Sequence, residues 1–470
     1  MKLAISFTIV LLLQSISLYG QDCSCEDEFM FVKNYIKNNY AGFADKVNDD
    51  TLPEYSELTE QLIVKSKYII KESYCWVLIN EWLDYFKDGH IQVRSNFVPG
   101  DVDSVRLREI IDGTEIIHLP DSRVEDLRDS DTIEGIYFNR DSTYKVAVAR
   151  NENEFRDYVG IIISSKSELW SEGQVKFELK QIDGNTYNAI VYYLYHQPYI
   201  ETFVFDGVSF NEGGWTKAGE QVPVRSNARS PNVSSEIVSD DIFYIRIGTF
   251  EEWNALAIDS VITHHEEFLA TAPYWIIDLR GNGGGSDFSY RPITPYLYTG
   301  PIEVIGTDVL STEENIKNWS VLLDNPHIPD DLIQLLREIL ETMEQHKGEF
   351  VSIVGDTTIT FDEVKTYPER VVVLIDENCA SSTENFLLAA MQSEKVTVMG
   401  QPTAGVLDYA NMRSADFPCH SLRLDYATTR SRRIDMSMGI DNKGIIPDIL
   451  FDEDIDWIRE AVLYLEKSEH

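Results

Sequence analysis

Cysteine is scarce. The 470-residue chain has 5, too few and too scattered for a disulfide-framework protein. No Cys-x-x-Cys pair offers a zinc site, and His264-His265-Glu266-Glu267 does not make a His-Glu-x-x-His motif. Those two histidines are expected on a solvated helix face. Basic residues are outnumbered, 40 Lys plus Arg against 79 Asp plus Glu, for a formal net charge of -39. A surface of that sign repels phosphate backbones and anionic lipids, which argues against nucleic acid as a partner. The acidity is spread along the chain and favours solubility. Beyond the N-terminus no apolar run approaches the roughly 20 residues needed to cross a bilayer. Internal repeats, low-complexity tracts and the Gly-x-Gly-x-x-Gly dinucleotide fingerprint are also missing. With 43% hydrophobic and 25% charged residues the composition is that of an ordinary folded protein, long enough for two or three domains.

The N-terminus has one basic residue (Lys2), an apolar run from Leu3 to Leu13 broken by Gln14, and a small residue at Gly20. This pattern predicts a secretory signal peptide over residues 1–20 and an exported protein, periplasmic or extracellular. A membrane anchor would need a longer run. Cys23, Cys25, Cys75, Cys379 and Cys419 allow two bridges and one free thiol, with the pairing open. Cys23 and Cys25 are too close for an easy mutual bridge; either could staple the N-terminus to Cys75. Cys379 reads as a small buried residue.

Three stretches differ in character. Residues 21–97 read as helical, with Phe29, Val32 and Ile36, then Trp76, Ile79, Leu83 and Phe86, at helical spacing. Residues 98–234 carry short β-branched segments such as Tyr144–Ala149, Val159–Ser164 and Val175–Lys180, separated by Asp-Gly and Asn-Glu turns. They predict an antiparallel barrel-like insert plugged by Trp170 and Trp215; a ligand cavity inside it is the less expected alternative. Residues 235–470 alternate buried strands (Ile242–Ile247, Tyr274–Leu279, Val371–Asp376) with helices, including one over 329–347, and predict an α/β unit.

Chemistry concentrates at two turns. After Asp278-Leu-Arg come Gly281-Asn-Gly-Gly-Gly285, a strand running into a loop whose amides can converge on an anion. After Val371–Asp376 come Asn378-Cys-Ala-Ser381-Ser382-Thr-Glu384, opening a helix. A serine at such a turn can be an exposed nucleophile. The same Ser381-x-x-Glu384 spacing is also a capping box, which requires no catalysis. His90, following Asp88-Gly89, is the foremost candidate base among 9 histidines, although a lone histidine is more often structural.

In order, "YWIIDLRGNGGG", "VVVLIDENCASSTENFLLAA", "VMGQPTAG" and "DNKGIIPDI" resemble the tail-specific, or C-terminal-processing, serine peptidase superfamily over residues 240–450. The resemblance implies an α/β crotonase-like core, Ser381 as nucleophile, and an oxyanion hole from the amides of Gly283 or Gly284 with Ser382. The lysine base of the bacterial processing branch is absent, since that position is Val406. "KDGHIQV" and "DNKGIIPD" instead resemble the tricorn-core branch, implying His90 as base and Asp441 as the acid that orients it. That branch has a serine immediately before the histidine, where this chain has Gly89, and the family's usual PDZ domain is not evident in residues 98–234. The implied activity is that of an exported serine peptidase acting on protein or peptide substrates without metal or organic cofactor. A non-catalytic binder of apolar ligands or peptides on the same core is the rival reading.

Overall fold

The computed structural model describes residues 24–467 except 102, 128–131, 212, 221–231, 326, 327, 329 and 453. The signal-peptide segment and Cys23 lie outside the described residues.

The N-terminal stretch forms the helices Cys25–Asn39, Phe43–Lys46, Leu52–Ser66 and Glu72–Leu83. The first is opened by a Ser24–Asp27 capping box. Phe29, Val32, Ile36, Leu78, Ile79, Trp82 and Phe86 are buried in one cluster with Leu424, Tyr426 and Ala427. The helices therefore pack on the strand Leu422–Ser431 as well as on one another. Cys25 and Cys75 are bridged across 50 residues, and Cys419 is also disulfide-bonded. Closing a loop of that length restricts the unfolded chain, so Cys25→Ala/Cys75→Ala should lose about 3 kcal/mol in urea unfolding. A midpoint unchanged from wild type would show that the bridge contributes nothing.

Between residues 103 and 126 the structure has two helices, Ser104–Asp112 and Asp121–Asp126, where sequence patterning anticipated only β-structure. The cause is local: Asp103 caps the first, its side chain accepting the amides of Val105 and Arg106. From Gly135 to Lys217 eight strands form one antiparallel sheet. Its terminal strands, Pro198–Val204 and Ser209–Phe210, approach each other through a bridge between Phe205 and Phe210. The sheet is a nearly closed barrel. Phe177, Phe203, Phe210, Trp170 and Trp215 are buried in it, so aromatic side chains fill the interior.

The C-terminal half is built on a six-stranded sheet. Ile242–Ile247, Tyr274–Asp278, Arg370–Ile375, Val396–Gly400 and Ile449–Leu450 run parallel in that order, with Val233–Ile237 antiparallel at one edge. The central strands are apolar on both faces because two clusters sandwich them, one holding Ile277, Val373 and Phe386, the other Ile276, Val372 and Trp457. A second sheet pairs Gln92–Ser95, Leu422–Ser431, Thr307–Leu310 and Phe350–Val354, with Tyr409–Asp416 on the other side of Leu422–Ser431. The strand that follows His90 is thus part of a sheet otherwise contributed by residues beyond 306. His264 is exposed, but His265 is half-buried between two short helices, with its Nε2 3.1 Å from Ser235 Oγ. Among the described residues no helix is long and apolar enough to cross a membrane.

Candidate active site

The parallel strands Tyr274–Asp278 and Arg370–Ile375 are neighbours, so the loops at their C-terminal ends lie side by side. One carries the glycines and the other Ser381. Gly284 (φ +100°) is where the loops touch: a Cβ there would lie 2.7 Å from the Ala380 carbonyl oxygen and 2.9 Å from Ser381 Cβ. Only glycine fits that approach. Asn282 stitches the contact further. Its carbonyl accepts the Thr383 hydroxyl at 2.9 Å and the Ala380 amide at 3.2 Å.

Ser381 stands at φ 56°, ψ -122°, at the start of the helix Ser382–Ala390. A non-glycine residue in that region stores strain and persists only where its surroundings hold it. The holding group is Glu384. Its fully buried carboxylate accepts the Thr403 hydroxyl (2.5 Å) and Gly405 amide (2.8 Å) on Oε1, and the Val406 (2.8 Å) and Ser381 (3.1 Å) amides on Oε2. The capping box is therefore present, and it extends into a clamp on residues 403–406.

Across from this turn, the Ser381 hydroxyl lies 3.3 Å from His90 Nε2. His90 Nδ1 lies 2.5 Å from the carbonyl oxygen of Tyr409, which can only accept. The proton must therefore sit on Nδ1, leaving the Nε2 lone pair toward Ser381. That is the arrangement in which a serine proton can be taken up. Gly89 abuts Val406, whose methyls would be 3.0 Å from a Cβ at position 89. Val406 occupies the space a serine side chain would need.

Asp441 is close by but makes no hydrogen bond to His90. Its Oδ1 accepts the amides of Leu407 (3.1 Å) and Asp408 (2.8 Å), while Asp408 in turn accepts the Asp441 amide (2.8 Å). It thus fixes the segment that presents the Tyr409 carbonyl. The carboxylate nearest His90 Nδ1 is Asp88, at 4.0 Å, with a fully buried side chain. Burial, then the neighbouring charges of Asp88 and Asp408, push Asp441 up to about 7 against the pull of its two amides. The folded state then keeps this proton up to about pH 7, whereas the unfolded chain releases it near pH 4. Stability through this group falls as pH rises between those values and is level above them. Asp441→Asn should flatten that slope in urea midpoints measured against pH, leaving the part due to Asp88, also raised by burial. An unaltered slope would remove Asp441 as its source.

Of the amides proposed from sequence for anion binding, Gly284 N–H already donates to Asn282 Oδ1 at 3.0 Å. Those of Gly283 and Ser382 have no hydrogen-bond partner among the described residues. The Ser382 hydroxyl is occupied with the Gly285 carbonyl at 2.9 Å. Cys379 is buried, its thiol facing the Leu279 carbonyl at 3.1 Å and pushed up by burial, which removes it as a nucleophile. Sequence reasoning missed the roles of Glu384 beyond capping, of Asp88 and of the Tyr409 carbonyl. For Asp88 a signal was present, two residues before His90; a main-chain carbonyl leaves none.

A cavity of about 230 Å³ lies apart from this constellation, between helices, barrel and second sheet, with Lys71, Glu72, His196 and His420 in its wall. None of Ser381, His90, Asp441 or the glycines lines it. Among the described residues no cluster of His, Cys, Asp and Glu could hold a metal ion.

Residues 241–451 match Peptidase family S41. No curated protein matches the sequence. Among solved structures, the chain is similar to mature CPAF complexed with lactacystin, at 13% identity and TM-score 0.50, over 94% of this chain and 97% of that one. It is also similar to the photosystem II D1 C-terminal processing protease (12% identity, TM-score 0.38, 94% and 97% covered). For the tricorn protease the values are 13% and 0.41, over 94% of this chain and 37% of that one.

Proposed function

We propose that the chain, whose residues 241–451 match peptidase family S41, is a serine peptidase acting on protein or peptide substrates, with Ser381 as its nucleophile and His90 as its base. Ser381 Oγ attacks the scissile carbonyl as His90 Nε2 takes the hydroxyl proton. The carbonyl π pair moves onto oxygen, where the amides of Gly283 and Ser382 receive it. Collapse to the acyl-enzyme returns the proton to the leaving amine, and water repeats the sequence to release the acid. Asp441 acts on His90 through the 407–409 segment. The observation that carries this reading is the 3.3 Å approach of Ser381 Oγ to His90 Nε2 across 291 positions of sequence. An alkyl fluorophosphonate should label wild type covalently at Ser381 and leave Ser381→Ala unlabelled; labelling of that variant would defeat the assignment.

With a histidine base, and Val406 where the other branch has lysine, we place the enzyme in the tricorn-like branch. Its parallel sheet and flanking helices read as a crotonase-type core over residues 235–470, carrying the helical region 21–97 and the insert 98–234. Export rests on the segment ending at Gly20. Mass spectrometry of native protein should find Gln21 as the first residue, and a retained Met1 would count against it.

A further inference from the structure

Two carboxylates approach the base, and their surroundings differ. Asp441 spends Oδ1 on two amides of the loop that carries Tyr409. Asp88 faces His90 itself: its Oδ1 accepts the His90 main-chain N–H at 2.8 Å and lies 4.0 Å from ring Nδ1. Asp88 Oδ2 accepts the hydroxyl of Tyr40 at 2.7 Å, and Tyr40 is itself 1% exposed. Tyr40 is the residue that ends the first helix, so the carboxylate is held from one side by the helical region and from the other by the turn bearing the base.

The Tyr409 carbonyl that accepts Nδ1–H is a dipole without net charge. When His90 takes the Ser381 proton, a full positive charge appears on a side chain only 9% exposed, where solvent can do little to compensate it. A fixed anion about one ring's width from Nδ1 is what that moment requires. We propose that Asp88, clamped by Tyr40, is the positioning residue that both aims His90 and compensates the charge it acquires, while Asp441 sets the loop that accepts Nδ1–H. The proposal rests on the Ser381–His90 reading and adds to it which acid answers the imidazolium.

The other charges facing this spot come from several elements. Lys46, from the short second helix, acts on Asp88 through space and lies 5.0 Å above the Tyr409 ring. Asp45 is paired with Arg430 and accepts the Tyr409 hydroxyl. Asp408 is paired with Arg433 at 3.3 Å. Asp45 thus shares Arg430 with Asp435, and Asp408 has Arg433 beside it. Asp88 has Tyr40 and His90 as hydrogen-bond partners and no guanidinium.

The test compares wild type, Asp88→Asn, Tyr40→Phe and Asp441→Asn. Two measurements are made: the second-order rate of alkyl fluorophosphonate inactivation against pH, and NMR titration of the His90 ring. Asn keeps the acceptor for the His90 amide and removes the charge, its NH₂ facing the Tyr40 hydroxyl, which can turn to accept. Asp88→Asn should lower the plateau rate about tenfold and move the acid limb, with the ring titration, about one pH unit lower. Tyr40→Phe should move both in the same sense by less, since without the phenol the buried carboxylate is harder to ionise. An Asp88→Asn enzyme whose limb and ring titration stay at wild-type values would overturn the proposal, leaving Asp88 as a turn-forming residue. Should Asp88→Asn fail to fold, Tyr40→Phe decides: unmoved values overturn, moved values support. Wild type that is never labelled would defeat the Ser381 reading, and the ring titration would still judge Asp88.

Discussion

Ser381→Ala and His90→Ala should each lower peptide turnover by about 10³-fold or more, because each removes a group without which the proton transfer has no donor or no acceptor. The double variant should be no worse than either single one, as expected of residues that act as a unit. Ser382→Ala, by contrast, should be mild: its proposed part is played by the main-chain amide, and its hydroxyl only meets the Gly285 carbonyl. The capping role of Ser381 makes a different forecast for the same variant, about 1 kcal/mol of lost stability with activity kept. Steady-state kinetics beside urea unfolding separates the two, and an active, slightly destabilised Ser381→Ala enzyme would leave Ser381 as a helix cap alone.

Glu384→Gln should be nearly as damaging, through the fold. Each oxygen of this buried carboxylate accepts two donors, Thr403 Oγ1 with Gly405 N on one and Ser381 N with Val406 N on the other. Whichever way a glutamine is turned, its NH₂ confronts two donors, so the isostere cannot satisfy the site. Losing charge-assisted bonds and leaving buried donors unmet is expected to cost about 4 kcal/mol in urea unfolding. Labelling at Ser381 should fall with it, because the positive φ of that residue depends on this clamp. A variant within about 1 kcal/mol of wild type, labelled at the normal rate, would show that the elbow is held by other contacts.

The parts of this molecule legible in its sequence are those whose physics is local. The runs Tyr274–Leu279 and Val371–Asp376 announce buried parallel strands because both faces of the sheet are covered, and the glycines announce a loop pressed against another backbone. The barrel strands show in their turns and alternation. What stayed hidden depends on partners far along the chain. Thr307–Leu310 and Phe350–Val354 are short strands, the latter with Phe350 and Val354 exposed, and they become strands by pairing in the second sheet. The His90 environment is assembled from Asp88, itself held by Tyr40, and from Tyr409, whose contribution is a main-chain oxygen that any residue could supply. Asp441 was legible as an acid near the site, but the amides it would choose were not. The pairing of Cys25 with Cys75 likewise awaited the packing of two helices.

The base is held by a carbonyl at position 409 and faces a hydroxyl at position 381, while it stands itself at position 90. A ribosome delivers these in order, so a nascent chain carries the histidine through the making of the whole barrel with nothing to receive or donate its proton. A chain interrupted before residue 381 has no nucleophile, and one interrupted before 409 has a serine beside an untethered imidazole. The order of assembly is thus a timer: the full set of groups around the base exists only once residue 409 has been made.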